Sequence, residues 1–125
     1  AWSSSGFGTR FSDPATLPPS GSGVAFSPDG ASLAVSHAIT PCVAVYPWSS
    51  SGFGTRYADP STVPTNTGTG VAFSSDSSAI AISHSVTPYV YAYPWSGSGF
   101  GTKYSDPATL PPSNGNGIAF GKITS

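Results

Sequence analysis

Large apolar and small residues alternate with period two through three successive segments, and the same three segments then return. Val24-Ala25-Phe26 places two large side chains on one side and a small one on the other, the alternation of a half-buried strand. Leu33-Ala34-Val35-Ser36 and Cys42-Val43-Ala44-Val45-Tyr46 continue the pattern. Their counterparts are Val71-Ala72-Phe73, Ile80-Ala81-Ile82-Ser83 and Tyr89-Val90-Tyr91-Ala92-Tyr93. Between the first two segments, Ser27-Pro28-Asp29-Gly30 carries Pro second and Gly fourth, the chemistry of a tight reversal. Ala38-Ile39-Thr40-Pro41 marks the next turn, and Pro47-Trp48 ends the third strand because Pro has no amide hydrogen for a ladder. After a Ser-Gly-Phe-Gly connection, Thr55-Arg56-Tyr57 reads as a fourth strand. Short strands with turn signals between them predict an all-β chain of four-stranded antiparallel meanders, with helix near zero.

The flanking sequence repeats as well. Trp48 to Arg56 copies Trp2 to Arg10 and recurs from Trp95 to Lys103, and the three tryptophans stand 46 and 47 residues apart. Self-similarity at this period signals a solenoid, a propeller or an array. A β-helix is disfavoured, since its coils are much shorter. The repeat divides the chain into a partial unit at 1–22, whole units at 23–69 and 70–116, and a partial unit at 117–125. The first fragment is expected to contribute a strand near Gly8 to Phe11, and the last a lone first strand at Ile118 to Phe120. Only the Pro- and Gly-rich loop before each first strand changes length, as loops do.

Val-Ala-Phe-Ser-Pro-Asp-Gly-x-x-Leu-Ala-Val, at Val24 to Val35, resembles the opening of a WD-repeat blade, and the resemblance extends over nearly the whole chain. It implies a β-propeller built from four-stranded blades. The Trp-Asp dipeptide of that family is here Tyr46-Pro47-Trp48 and Tyr93-Pro94-Trp95, and its Gly-His pair is Ser22-Gly23 and Thr69-Gly70. The blade is therefore carried over, but the family's intracellular peptide-binding scaffold role is only an alternative. Near-identical tandem copies also resemble amplified propeller repeats of bacterial and phage surface proteins, which implies an extracellular, virion-surface or cell-surface setting.

Composition narrows the chemistry. With 4 Lys plus Arg against 5 Asp plus Glu and a net charge of −1, the chain lacks the clustered cations that nucleic-acid binding requires. No stretch approaches the length of an apolar membrane span, so membrane insertion is not expected. Cys42 has no second cysteine to pair with, and its counterpart is Tyr89, so it reads as a strand residue rather than a ligand or nucleophile. The chain contains no Met and starts inside a repeat, as expected of a processed product or a piece of a longer array. No nucleophile elbow or phosphate loop occurs; catalytic residues and cofactors are not expected, and the chain is read as a non-enzyme.

Candidate binding residues follow from the meander. The second turn and the loop into the next unit emerge at one end, so residues 37 to 41 and 15 to 23 share a face; residues 27 to 31 and 49 to 54 share the other. His37 and His84 occupy equivalent strand ends, and no Asp, Glu or Cys recurs beside them to complete a metal site. Each is read as hydrogen-bonded to a loop carbonyl or as a contact for a sugar hydroxyl. With Thr40, Thr87 and Tyr89 they form one candidate ligand face. Arg10 with Asp13, Arg56 with Asp59, and Lys103 with Asp106 form pairs three residues apart, read as surface ion pairs or, at Arg10, Asp13, Arg56 and Asp59, as ligand contacts. Asp29 and Asp76 are expected to bond local turn amides, and the tryptophans to pack between units. Low charge, abundant hydroxyls and Tyr suit a neutral polar ligand, so the expected function is multivalent recognition of glycans or another cell-surface ligand. A self-assembling scaffold without a ligand is the alternative.

Two whole units cannot close a ring, and open end faces invite head-to-tail copying of the internal contact. The chain is thus expected to be a homo-oligomer, a trimer being favoured over a dimer or tetramer.

Overall fold

The computed structural model describes residues 1–122. Among them every regular element is a strand. β1 (Trp2–Ser3) and β2 (Gly6–Phe7) form a small hairpin. β3 (Gly21–Phe26), β4 (Ser32–His37), β5 (Val43–Ser49) and β6 (Gly52–Phe53) follow as one four-stranded antiparallel sheet in sequence order. β7 (Gly68–Phe73), β8 (Ala79–His84), β9 (Val90–Ser96) and β10 (Gly99–Phe100) repeat it. Register is shared: Val24 faces Val35 and Ala34 faces Val45 in the first sheet, as Val71 faces Ile82 and Ala81 faces Ala92 in the second.

The three long strands of each sheet lie where period-two alternation places them, mostly with extended ends, but Cys42 and Tyr89, expected to open the third strand, stand just before it in left-handed turn geometry with φ +69 and +74. The first strand starts at Gly21 rather than Val24, through a register shift between Gly21 and Gly23 that recurs between Gly68 and Gly70. The third runs through Pro47 and Trp48 instead of stopping there. Pro47 is tolerated because it sits opposite Ser32 near the end of the β4–β5 ladder.

The expected fourth strand at Thr55 to Tyr57 is corrected to Gly52–Phe53. Gly52 takes φ +96, its counterparts Gly6 and Gly99 +96 and +104. That left-handed geometry folds the apparent connection into a tight hairpin on Trp48 and Ser49. Residues 54 to 57 then run beside β5 without regular pairing, held by Gly54 N–H to the Pro47 carbonyl at 2.8 Å and Tyr57 N–H to the Val45 carbonyl at 2.9 Å. For the same reason the strand expected near Gly8 to Phe11 is displaced to Gly6–Phe7. Ile118 to Phe120 form no regular strand; residues 123–125 of that expected terminal fragment lie outside the described residues.

The two large sheets pack face to face through unlike apolar faces. Ala34, Val43 and Val45 of the first sheet, with Ala25 beside them, meet Val71, Phe73, Ile80, Ile82, Tyr93 and Trp95 of the second. A face of small and β-branched side chains thus covers a face of large ones, and the area removed from water is the main stabilising term. The first strands run side by side at this seam. Ser22 Oγ donates to the Gly68 carbonyl at 2.7 Å, and one repeat later Thr69 Oγ1 donates to the Gly115 carbonyl. The equivalent tyrosines Tyr46 and Tyr93 also tie back: the Tyr46 hydroxyl donates to the Thr16 carbonyl and the Tyr93 hydroxyl to that of Thr62.

Candidate functional site

At one end of the sheets, the turn after the second strand meets the loop that enters the next repeat. His37 N–H donates to the Cys42 carbonyl and Cys42 Sγ to the Asn66 carbonyl, at 2.9 and 2.7 Å. Gly115 N–H likewise reaches the His84 carbonyl at 3.3 Å. His37 and His84 are each 1% exposed, and neither ring nitrogen of either imidazole has a hydrogen-bond partner. The expected bond to a loop carbonyl is thus absent at His84, whereas at His37 the Val43 and Ile39 backbone groups lie near enough to raise the pKa against burial without reaching full hydrogen-bond geometry. Burial lowers both imidazole pKa values, which keeps both rings neutral at pH 7.

The structure brings the ion pairs close to these histidines. Arg56 bonds Asp59 at 2.6 Å, and their opposite charges act on His37. The Asp106 and Lys103 charges act on His84 in the same way. Lys103 Nζ lies 4.3 Å from the centre of the Tyr91 ring, which packs edge-on against His84. Arg10 bonds Asp13 at the surface, and neither is among the charges that act on His37 or His84. Thr40 and Thr87 are exposed and Tyr89 is half-buried. The candidate face expected from sequence therefore presents threonines and ion pairs to solvent, with its histidines sealed beneath.

The other end carries a groove. The turns after β3 and β7 stand side by side, joined by Asp29 N–H to Ser77 Oγ at 3.2 Å. Between them and the end of β9 lies a cleft of about 300 Å³ lined by Asp29, Ser32, Tyr57, Asp76, Ser77, Trp95 and their neighbours. Trp95 is 7% exposed and packs edge-to-face on Tyr57 of the preceding repeat, centroids 4.9 Å apart. The aromatic floor is thus built across the seam, as sequence led one to expect of these tryptophans. Trp48 meets Phe11 in the same way at 5.0 Å, whereas Trp2 is 73% exposed.

Both carboxylates belong to their turns. Asp29 Oδ1 accepts from Ser27 Oγ at 2.6 Å and Ala31 N–H at 3.0 Å. Asp76 Oδ1 accepts from the Ser78 hydroxyl at 2.6 Å, Ser74 Oγ at 2.7 Å and Ser78 N–H at 3.0 Å. The Ser27 hydroxyl is the main cause lowering the Asp29 pKa, and the Ser78 hydroxyl the main cause holding Asp76 at about 2. Both are ionised acceptors at any physiological pH. No Lys or Arg lines the cleft, so it repels anions and suits ligands that donate hydrogen bonds.

Sequence reasoning placed the 27–31 and 49–54 segments on one face but did not choose them as the site. Asp, Ser and Trp recur there at the repeat period, which was the available signal. What it lacked was Tyr57, whose ring reaches Trp95 only once the two sheets pack.

The fold defines an all-β tandem-repeat protein with one seam cleft between two complete sheets. No known protein family matches the chain, and no curated protein matches it either. No helix is long and apolar enough to cross a membrane among the described residues.

Proposed function

We propose that the chain is a non-catalytic recognition module whose repeats are blades of a β-propeller, closed by self-association, and whose blade seams bind a neutral, hydroxyl-rich ligand such as a surface glycan. The observation that carries this reading is the seam cleft. Its Trp95 and Tyr57 floor offers an apolar face for sugar C–H groups, and serine hydroxyls and carboxylate oxygens on its rim match hydroxyls that both donate and accept. Its volume lies at the small end of ligand pockets, which fits one or two sugar rings. The propeller reading is supported by the repeated offset between first strands and by the small-face-on-large-face packing, which any number of identical units can continue. One weak site per seam gains strength through multivalency.

A glycan array with the intact chain tests the reading, followed by tryptophan-fluorescence titration with the methyl glycosides that score. The exposed Ser96→Trp substitution fills the cleft without touching the core, and it is expected to abolish binding while leaving the melting temperature unchanged. A silent array, or binding that Ser96→Trp leaves intact, overturns the assignment and leaves a ligand-free scaffold as the better description.

A further inference from the structure

Equivalent residues of near-identical repeats differ sharply in exposure at one end of the chain. Val71 and Phe73 are each 7% exposed because the first sheet covers them; Val24 and Phe26, one repeat earlier, are 65% and 54% exposed. The opening centres on the first strand, with Val35 and Trp48 half-buried beside it where Ile82 and Trp95 are sealed. Farther out on the same face, Leu33 and Tyr46 are 6% and 1% exposed, since the segment that follows the β1–β2 hairpin already lies over them, with Thr16 bonded to Tyr46 and Phe11 against Trp48. A wider cleft of about 760 Å³, lined by Trp2, Phe7, Phe11, Phe26 and Trp48, opens beside this strip. One first strand is missing from an otherwise covered face.

The other end of the chain holds an unpartnered segment of matching kind. Residues 115–118 lie along β7 as β7 lies along β3: the Gly115 carbonyl takes the Thr69 hydroxyl, and a Cβ on Gly70 would meet Gly117 Cα at 3.2 Å, as one on Gly23 would meet Gly70 Cα at 3.6 Å. Ala119 corresponds to Ala25, the small first-strand residue packed against the core cluster of the internal seam, yet Ala119 is exposed. Tyr104 corresponds to Tyr57, which packs on Trp95, yet Tyr104 is 50% exposed.

We infer that residues 116–120 of a second copy occupy the Val24–Phe26 strip, so that the chain associates head to tail through a third copy of its own internal seam. This rests on the propeller reading and supplies its closing contact. In the repeated register Ala119 covers Val24 and Phe26 of the neighbour, the Asn116 side chain takes the place of Ser22 and Thr69 as donor to the Gly21 carbonyl, and Tyr104 packs on the neighbour's exposed Trp2. The contact covers two large first-strand side chains and two aromatic rings that the single chain leaves exposed, the kind of apolar strip that marks protein–protein contacts. The interface is heterologous, because its two surfaces lie at opposite ends of the chain, and it closes into a ring when the rotations sum to a full turn.

Light scattering coupled to gel filtration on the intact chain tests this with two variants at exposed positions. Wild type is expected as a discrete multiple of 12.6 kDa. Val24→Asp, which spoils the strip, and Ala119→Asp, which spoils the inserted segment, are each expected at the mass of one chain with unchanged far-ultraviolet dichroism. Mixed together, they retain one good surface each and are expected to pair one to one at twice that mass. A wild-type monomer overturns the inference, as does a dimer that Ala119→Asp leaves intact, or a mixture that fails to pair. Glycan binding in the seam between the two complete sheets needs only one chain, so its loss or survival is read separately on the monomeric variants.

Discussion

Replacing Phe73 and Phe26 by Ala, one at a time, measures the seam directly, because the two residues share a position in the repeat and differ only in what covers them. Phe73 is 7% exposed and Phe26 54%. A phenylalanine buries roughly 200 Å², so the 47-point difference corresponds to roughly 90 Å² more surface removed from water at Phe73. At about 25 cal/mol per Å² that is about 2 kcal/mol. Phe73→Ala also leaves a cavity among Ile80, Ile82 and Trp95, and core Phe→Ala changes cost about 3–5 kcal/mol. Phe26→Ala is therefore expected to cost about 1–3 kcal/mol, the transfer difference less. The assay is urea unfolding followed by tryptophan fluorescence, in an Ala119→Asp background that holds the chain monomeric. Losses equal within about 0.5 kcal/mol, the usual limit for independent sites, would refute the claim that the first sheet covers Phe73 while no neighbouring sheet of the same chain covers Phe26.

Three further outcomes follow from the same contacts. His37 and His84 have folded-state pKa values pushed down by burial from 6.5, so the native state binds fewer protons than the unfolded chain. Stability is full above about pH 6.5 and falls as pH drops below it; urea midpoints across pH 8 to 5 should show that slope, and a His37→Leu/His84→Leu variant should flatten it. Gly68→Ala would set a Cβ 2.5 Å from the Cys42 carbonyl oxygen and 3.0 Å from that of His37, both backbone atoms. It is expected to lower stability by about 1–3 kcal/mol, and a melting temperature equal to wild type would show that the loop yields. Arg10→Ala removes an exposed ion pair and is expected to change the unfolding free energy by less than about 0.5 kcal/mol, with no added effect of salt.

The amino-acid order alone determined the long strands, their antiparallel order and the repeat. Val24-Ala25-Phe26 and Leu33-Ala34-Val35 declare their faces by period two, and Ser27-Pro28-Asp29-Gly30 declares the turn between them, because both signals reside in a few neighbouring residues. The fourth strand was misplaced because Gly52 looks like a linker until its positive φ makes it a hairpin corner. The sealing of the histidines, the Tyr57–Trp95 floor and the cleft between Asp29 and Asp76 were not legible, since each depends on elements of different repeats packing together. Exposure lies furthest beyond local reading. Val24 and Val71 sit in the same sequence context, and so do Phe26 and Phe73; one pair is open and the other sealed because burial belongs to the neighbouring sheet, which only the tertiary structure supplies.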